Sequence, residues 1–332
     1  MCYFLQLLPY VELEDGSRKV CFDTQNYYYK LYSQPYYLDF NIKEFMNLRN
    51  SLINTTHYCS HYKQDLKLLD IISIPCGKCP SCLNYRSQSF GIRVSCQRML
   101  NHEINSNASD FFITLTIQEH CLRKSRSVSK RDLQLFFKRL RHHLDFDFKY
   151  FACGEYGSNN ARPHYHAIIL FDTQVDSLVF ESAVKKAWHY GLINIQDTIT
   201  DKAIFYVARY CDKKIEDRLT KDDYDQLGLI PPFICSSKNL GYDYFYKYKD
   251  HILKLGYIQG PDGCQYFIPS YFIRKLDNAS QIAFKSVSRL KSFDNLNHSL
   301  QQASMLDYTF LDFNYIMSGA EMAKRKKLVR IL

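Results

Sequence analysis

The sequence predicts an α+β fold, in which a central antiparallel β-sheet has helices packed on one face. The prediction rests on two patterns between residues 108 and 215: segments that alternate apolar and polar residues, and segments whose apolar residues follow helical spacing. These segments run in the order strand, helix, strand, strand, helix, strand, helix. The first six have the order of the ferredoxin-like arrangement, whose helices lie on one face of the sheet.

Four segments of this region are predicted as strands. FFITLTIQ alternates in such a way that Thr114 and Thr116 share one face. The Gly, Ser and Asn residues of YGSNNAR predict a turn between the second and third strands. The predicted strands comprise residues 111–118, 148–155, 163–171 and 191–196.

Three further segments are predicted as helices. In SKRDLQLFFKRLRHHL the apolar residues recur at helical spacing, and Ser129 with Asp132 approximates a capping box at the N-terminus. Thr200 or Asp201 is expected to cap the last of the three helices. The predicted helices comprise residues 129–144, 176–188 and 200–214.

Composition divides the chain of 332 residues into three predicted regions. Residues 1–105 hold a cysteine cluster followed by a predicted helix, residues 106–215 hold the sheet, and residues 216–332 are rich in tyrosine and lysine. No apolar run reaches the length of a membrane span, so we expect no membrane partner. The first residues lack the basic leader and cleavage site of a signal peptide, and we therefore expect a cytoplasmic protein.

The formal net charge is +9, and aromatic residues make up 15% of the chain, with 27 tyrosines among them. Excess positive charge favours polyanionic partners. Tyrosines mixed with lysines can stack on bases while the charges hold phosphates, which indicates nucleic acid. The alternative is a basic protein whose tyrosines fill its core.

Two histidines stand at the start of the third predicted strand, in RPHYHAII. Because strand side chains alternate, His164 and His166 share one face and Tyr165 takes the other. Two imidazoles about 7 Å apart along a strand can converge on one metal ion. If the flanking strands form a hairpin centred on YGSNNAR, Glu155 lies opposite His164 and adds a carboxylate. The alternative for Glu155 is a turn residue bonded to backbone amides.

The last predicted helix carries two tyrosines followed by two lysines, in YVARYCDKK. Tyr206 and Tyr210 are four residues apart and share a helix face, which Lys213 and Lys214 extend. Such a stripe is often core packing, but lysine is rarely buried, and the set suits attack on phosphate. A phenol is a weak nucleophile at neutral pH, and a divalent metal that polarises a phosphodiester compensates for this weakness.

The cysteines of CGKCPSC form the spacing C-x₂-C-x₂-C, which suits tetrahedral zinc. Zinc needs a fourth ligand besides these three. The alternative is that Gly and Pro form a turn before the helix and the thiols stay free. The three cysteines are Cys76, Cys79 and Cys82, and the candidates for the fourth ligand are Cys2, Cys21, Cys59, His57 and His61.

The ordered motifs TLTIQ, GEYG…RPHYHAII and YVARYCDKK resemble the HUH endonucleases that initiate rolling-circle DNA replication. More narrowly, the chain resembles the replication initiation proteins of the Microviridae, in their gokushovirus-like branch. PCGKCPSCLNYRSQ before these motifs and IPSYFIRKL after them belong to the same resemblance, which covers about residues 75–275. Tyrosine between the two histidines, where the family has an aliphatic residue, is a departure that leaves the histidines in place.

The resemblance implies a nickase that depends on Mg²⁺ or Mn²⁺ and cuts the viral-strand origin of circular DNA in the cytoplasm of the bacterial host. The implied partners are single-stranded or origin DNA and the host replication helicase and polymerase. It also implies a structural Zn²⁺, for which Cys2 is the first candidate as fourth ligand. The implied metal-binding histidines are His164 and His166, the implied nucleophiles are Tyr206 and Tyr210, and the implied phosphate-binding residue is Lys213 or Lys214.

Four further residues near these motifs are expected to contact DNA: Arg162, Arg209, Thr114 and Thr116. Two other functions remain open from the residues alone. One is a nucleic-acid-binding protein without catalytic activity, and the other is a zinc protein of another class that uses its H-x-H motif for hydrolysis. Only the nickase predicts a covalent adduct between tyrosine and DNA.

Overall fold

The computed structural model describes residues 5–14, 16, 18–20, 54, 56–59, 64–75, 80–157, 161–197, 199–209 and 221–284. These residues fall into two compact units, one within Met1–Leu83 and the other within Asn84–Lys291. The predicted division at residues 105 and 215 stays a prediction. In the described ranges, no helix is both long enough and apolar enough to cross a membrane.

The first unit contains a four-stranded antiparallel sheet that the sequence patterns did not predict. Its strand order is β2-β1-β4-β3, and a register shift between Tyr10 and Val11 interrupts the pairing of β1 with β4. Val11 and Leu66 are fully buried. The strands are β1 (Leu5–Glu12), β2 (Arg18–Val20), β3 (Thr56–Cys59) and β4 (Gln64–Pro75).

The second unit is built on a five-stranded antiparallel sheet of order β8-β5-β7-β6-β9. Its first four strands have the ferredoxin-like order, and β9 pairs with β6 as an extra edge strand. The predicted α+β fold is therefore confirmed. The elements are α1 (Pro80–Ile104), β5 (Asp110–Ile117), α2 (Lys130–His143), β6 (Lys149–Tyr156), β7 (Pro163–Leu170), α3 (Ser177–Ala187), β8 (Gly191–Gln196), α4 (Asp201–Arg209) and β9 (Phe233–Ser236).

Helices α2 and α3 pack on one face of this sheet, as predicted. The alternating residues Leu115, Tyr165 and Ala167 form that face. Phe136 of α2 and Phe180 of α3 pack in the same fully buried cluster. Burial of large apolar side chains contributes about 1.5–3 kcal/mol each, so this layer supplies much of the stability of the domain.

The opposite face of the sheet is covered by α1 and α4, which the sequence did not predict. Ile168 and Phe151 lie on this face and pack with Val94 of α1 and with Ile204 and Val207 of α4. Ile204 and Val207 are three residues apart, which is the spacing of one helix face. The helix that bears Tyr206 therefore lies on the sheet face opposite α2 and α3.

Short C-terminal elements pack against α1 and α4. Ile92 and Cys96 of α1 share a buried cluster with Phe245 and Phe272. Phe205 of α4 packs so close to α1 that a Cβ at Gly91 would lie 2.5 Å from its ring, which explains glycine inside a long helix. The elements are α5 (Lys221–Gln226), α6 (Tyr242–Lys247), α7 (Lys249–Leu255), β10 (Ile258–Gln259), β11 (Gln265–Tyr266) and α8 (Ser270–Ile273).

The predicted capping box of α2 is wrong. Ser129 occupies the N-cap position but makes no side-chain capping bond. The Asp132 carboxylate instead accepts hydrogen bonds from Arg123 and from the Tyr165 hydroxyl, because the buried side of α2 turns it inward. The Thr200 hydroxyl accepts a bond from the Ala203 N–H at 3.2 Å, so the predicted cap of α4 is confirmed.

Candidate functional site

The hairpin of β6 and β7 has the predicted register. Glu155 lies directly opposite His164, and Thr116 of β5 pairs with His164 from the other side. Thr114 lies opposite His166. Directly opposed residues point to the same face, so these side chains share the sheet face on which α4 packs.

His166 is held between two polar groups. Its Nε2 lies 3.0 Å from Oε1 of Glu155, and its Nδ1 lies 3.1 Å from Oγ1 of Thr114. His166 is 8% exposed and Glu155 is 4% exposed. The imidazole is therefore fixed in orientation, and Thr114, which the sequence suggested as a DNA contact, holds it. The alternation of FFITLTIQ placed Thr114 on this face but gave no sign of its partner.

His164 is oriented by the turn that precedes it. Its Nδ1 donates to the carbonyl of Arg162 at 2.6 Å, and the Gly157 N–H donates to the same carbonyl at 2.9 Å. A donor at Nδ1 leaves the lone pair on Nε2, which is the tautomer that binds a metal through Nε2.

Gly157 is a residue of this site that the sequence analysis missed. A Cβ at Gly157 would lie 2.9 Å from Cε1 of His164, so the imidazole occupies the space that any other residue would fill. The signal was present in the second glycine of GEYG. It had no interpretation until the ring position was known.

The donor chemistry of this face fits a divalent cation. Glu155 Oε1 and His166 Nε2 are 3.0 Å apart. Neighbouring ligands at right angles around Mg²⁺ are separated by about 3 Å, because each lies about 2.1 Å from the metal. His164 is a third donor of the same face. Among the residues that the structure describes, no three His, Cys, Asp or Glu side chains yet converge as a metal cluster.

Tyr165, between the two histidines, points into the opposite core. Its hydroxyl accepts a bond from the Ser129 N–H at 2.8 Å and donates to Asp132 at 3.2 Å. Burial raises the pKa of Tyr165 well above its ordinary value. The side chain is fully buried and therefore anchors β7 rather than reacting with a ligand.

Helix α4 runs from the far end of the sheet towards the histidines. Arg98 ties its first residue, Asp201, to Asp110 by contacts of 3.4 and 2.7 Å. Asp110 lies opposite Leu170, at the end of β7 that is distant from His166. The four residues between them span about 13 Å of strand, and the helix is about as long. The last turn of α4 therefore approaches the level of His166.

Tyr206 lies on the exposed side of α4. The buried side is formed by Ile204, Val207 and Ala208, and Tyr206 is turned by about 200° from Ile204 around the helix axis. Its side chain is 43% exposed, so a macromolecular ligand can reach it. The structure brings α4 to the histidine face but turns this ring outward. The other predicted catalytic residues, Tyr210, Lys213 and Lys214, lie outside the described residues.

The predicted DNA contacts differ in their surroundings. The guanidinium of Arg162 lies 3.2 Å from Glu119, which also pairs with Arg126 at 2.8 Å. The hydrogen bond from Arg126 lowers the pKa of Glu119. Arg209, in the last turn of α4, and Thr116 are both half-buried. Contact of these residues with DNA stays a prediction.

The predicted zinc site falls mostly outside the described part of the chain. Cys82 is buried in α1, whereas Cys2, Cys76 and Cys79 lie outside the described residues. Zinc binding by this cluster stays a prediction.

A cleft of about 480 Å³ lies at the other end of the sheet from the histidines. It is lined by Leu170, at the end of β7, and by the cations Arg141, Lys149 and Lys238. The cleft is therefore distinct from the histidine face.

Comparison with known proteins gives a consistent result. Residues 110–215 match a family model of replication-associated proteins of the ORF2 type. The chain is 28% identical over 263 residues to the replication-associated protein ORF2 of Spiroplasma virus 4, covering 70% of this chain and 78% of that protein. It is 29% identical over 225 residues to the replication-associated protein ORF4 of Chlamydia phage 1, covering 61% and 54%.

A third relative is the replication-associated protein VP4 of Bdellovibrio phage phiMH2K, with 29% identity over 231 residues, 63% of this chain and 69% of that protein. No solved structure is significantly similar to the chain. The histidines, Glu155 and Tyr206 all lie inside the region that matches the family model. The matches and the motifs carried by this sheet place the chain among the replication-associated proteins of microvirus phages.

Proposed function

We propose that the protein initiates rolling-circle replication by nicking the viral-strand origin of circular DNA and later rejoining the strands. One observation carries the proposal above the others. His164, His166 and Glu155 share the sheet face on which the helix bearing Tyr206 packs. All of these residues lie within the region that matches replication-associated proteins.

The reaction proposed is a transfer of phosphate from one oxygen to another. The phenol oxygen of Tyr206 or Tyr210 forms a bond to the phosphorus of the scissile phosphodiester, and the bond to the 3′ oxygen breaks. The phenol proton is lost, and the departing oxygen leaves as a 3′ hydroxyl. Because a phosphoester is kept, a 3′ hydroxyl can reverse the step without ATP. The second tyrosine allows a second transfer while the first is occupied.

Glu155, His164 and His166 would hold Mg²⁺ or Mn²⁺, which when bound polarises the phosphodiester and stabilises its negative charge. Thr114 and the Arg162 carbonyl orient the two imidazoles for this task. Such supporting hydrogen bonds commonly affect metal affinity or activity by about 10–100-fold.

The other parts of the proposal concern partners. Lys213 or Lys214 would bind the transferred phosphate, and Arg162, Arg209 and Thr116 would contact the DNA strand. The host replication helicase and polymerase would act on the nicked DNA from its free 3′ hydroxyl, in the cytoplasm of the bacterial host. The cysteine cluster would hold a structural Zn²⁺.

The test is a nicking reaction on supercoiled DNA that carries the phage origin, with Mn²⁺ present. We expect the double variant Tyr206→Phe, Tyr210→Phe to lose nicking and to lose a covalent tyrosyl–DNA adduct detected by mass spectrometry. Tyr85→Phe is a matched control, since Tyr85 is 44% exposed and lies on a different helix. If the double variant nicks as well as the parent, the assignment of the tyrosines is wrong.

Metal assignments are tested separately from the tyrosines. His164→Gln and Glu155→Gln are expected to lower nicking at a fixed Mn²⁺ concentration, and chelation of the metal should abolish it. Protein purified without chelator is expected to contain zinc by elemental analysis. Protein without zinc would contradict the cysteine site and leave the nickase proposal intact.

A further inference from the structure

Helices α6, α7 and α8 expose a surface of tyrosines and lysines that the nicking reaction does not use. We call it the tyrosine–lysine surface, and it consists of Tyr242, Tyr246, Lys249, Tyr271 and Lys275. The rings of Tyr242 and Tyr246 have centroids 5.9 Å apart. Lys249 lies 4.9 Å from the Tyr246 ring, and Lys275 lies 4.7 Å from the Tyr242 ring and 5.1 Å from the Tyr271 ring. Aromatic faces and cations therefore alternate across it.

The surface rests on a rigid base. Phe245 and Phe272 lie beneath it and stack with centroids 4.9 Å apart and an angle of 14° between their planes. Both side chains are fully buried, whereas Tyr246 is 57% exposed. Arg93 packs against the inner side of Tyr271 at 3.9 Å. The rings are thus held in place before any ligand binds, which lowers the entropy cost of stacking on them.

The cations of this surface are available to a ligand. Lys247 and Tyr248 both donate to Glu103, so this lysine is neutralised. Within residues 80–157, 161–197, 199–209 and 221–284, no ion pair ties Lys249 or Lys275 to a carboxylate. The acidic side chains Asp243 and Asp250 are exposed on the same helices, so the surface is cationic locally rather than throughout.

We propose that the tyrosine–lysine surface binds single-stranded DNA without sequence preference, at a site separate from the histidine face. Bases stack on tyrosine regardless of sequence because every base has an aromatic face, and lysines beside the rings attract the phosphates. The proposal rests on the function proposed above, because the ligand is taken to be the strand displaced from the nicked DNA.

The surface continues towards the cleft at the end of the sheet. The Lys275 ammonium donates to the side chain of Asn239, whose neighbour Lys238 lines the cleft. Arg141 and Lys149 line it as well, together with two aspartates. A strand that leaves the tyrosines can therefore follow a line of cations away from the histidines.

The first test measures binding of a fluorescent oligo(dT) of about 16 nucleotides, long enough for one single-strand site, by anisotropy. Tyr246→Ala is expected to weaken binding about tenfold, because stacking on one exposed ring is removed. Tyr246→Trp keeps an aromatic face and should bind as the parent does. Binding of Tyr246→Ala with parental affinity, in protein shown by circular dichroism to be folded, would overturn the proposal.

The second test removes charge. The double variant Lys249→Gln, Lys275→Gln is expected to reduce the slope of log affinity against log salt by about 0.7 for each phosphate that the protein no longer neutralises. Lys185→Gln is the matched control, because Lys185 is an exposed lysine on α3, across the sheet. An equal effect of the control would show that only overall charge matters and would overturn the assignment to this surface.

Both tests are repeated in the Tyr206→Phe, Tyr210→Phe protein, which should bind oligo(dT) as the parent does. If this protein binds through the surface but the parent nicks no origin, the surface is supported and the nickase is not. If the parent nicks and the surface variants bind oligo(dT) unchanged, the surface proposal fails alone. Competition by oligo(rU) at lower concentrations than by oligo(dT) would overturn the assignment to DNA.

Discussion

The two faces of β7 serve different purposes within one strand of eight residues. On one face, Tyr165, Ala167 and Ile169 are fully or almost fully buried among α2 and α3. On the other face, Ile168 packs beneath α4, but the first two residues of that face, His164 and His166, are polar. The polar end of one face is thus supported by an uninterrupted apolar face behind it.

This contrast shows how a strand can position reactive groups without losing its place in the sheet. The register that puts His164 opposite Glu155 also puts Tyr165 into the core. A slip of one residue would bury both imidazoles and expose the tyrosine. The energy of the buried face therefore maintains the geometry of the polar face, and substitutions on the two faces should have separable effects.

The largest effect is expected on the buried face. Tyr165→Ala should lower the free energy of unfolding by about 3–5 kcal/mol, because it leaves a cavity in the core. It also removes the hydroxyl that donates to the buried Asp132. Urea denaturation followed by circular dichroism measures the loss. A loss below about 1 kcal/mol, the scale of a surface substitution, would break the contrast between the faces.

The polar face should respond in activity rather than stability. His166→Gln keeps a donor near Glu155, so the free energy of unfolding should change by less than about 1 kcal/mol. Nicking of origin DNA should fall by at least about 100-fold, since a proposed metal ligand is removed. The matched control is Gln97→Asn, because Gln97 lies at the cleft end of the domain. Parental nicking by His166→Gln would remove this histidine from the site.

A smaller effect is expected at the turn. Gly157→Ala places a methyl group in the space of the His164 ring, which must rotate or shift. Nicking at limiting Mn²⁺ should fall about tenfold and recover in part at higher Mn²⁺, because a supporting contact rather than a ligand is changed. Gly228→Ala serves as a control, since no atom lies within 4 Å of a Cβ there. The same loss at saturating Mn²⁺ would argue against an effect on metal affinity.

The smallest effect concerns the Tyr165 hydroxyl alone. Tyr165→Phe should lower the free energy of unfolding by about 1 kcal/mol at neutral pH, because its hydrogen bonds are removed. Burial raises the pKa of Tyr165, so its contribution is fully present below the ordinary tyrosine value and is lost as the pH rises above it. Above a pH of about 10 the parent should lose stability faster than the variant, by at most about 1.4 kcal/mol per pH unit. Equal slopes for the two proteins would contradict this role of burial.

Local patterns in the sequence were sufficient for the central sheet. GLINIQ was predicted at 191–196, which are the bounds of β8, and the turn at YGSNNAR gave the register of Glu155. Alternation and a short turn determine such a hairpin without reference to the rest of the chain. The same reasoning applied to α2 and α3, whose apolar residues follow helical spacing.

Packing between distant segments was not predictable in this way. The sequence put Tyr206 and Tyr210 on one helix face but did not show which face packs on the sheet. Ile204, Val207 and Ala208 decide this, and their partners lie on strands and on α1. The apolar spacing of these three residues was visible, but the second covered face of the sheet was not expected.

The position of Phe205 also determines how far the chain can be shortened. Residues 110–215 match the family model, yet the ring of Phe205 is covered by α1 and by Tyr266, both outside that range. A fragment trimmed to the match would uncover Phe205 and the sheet face around Ile168, and exposed apolar area of this kind promotes aggregation. The smallest soluble piece should instead follow the compact unit Asn84–Lys291.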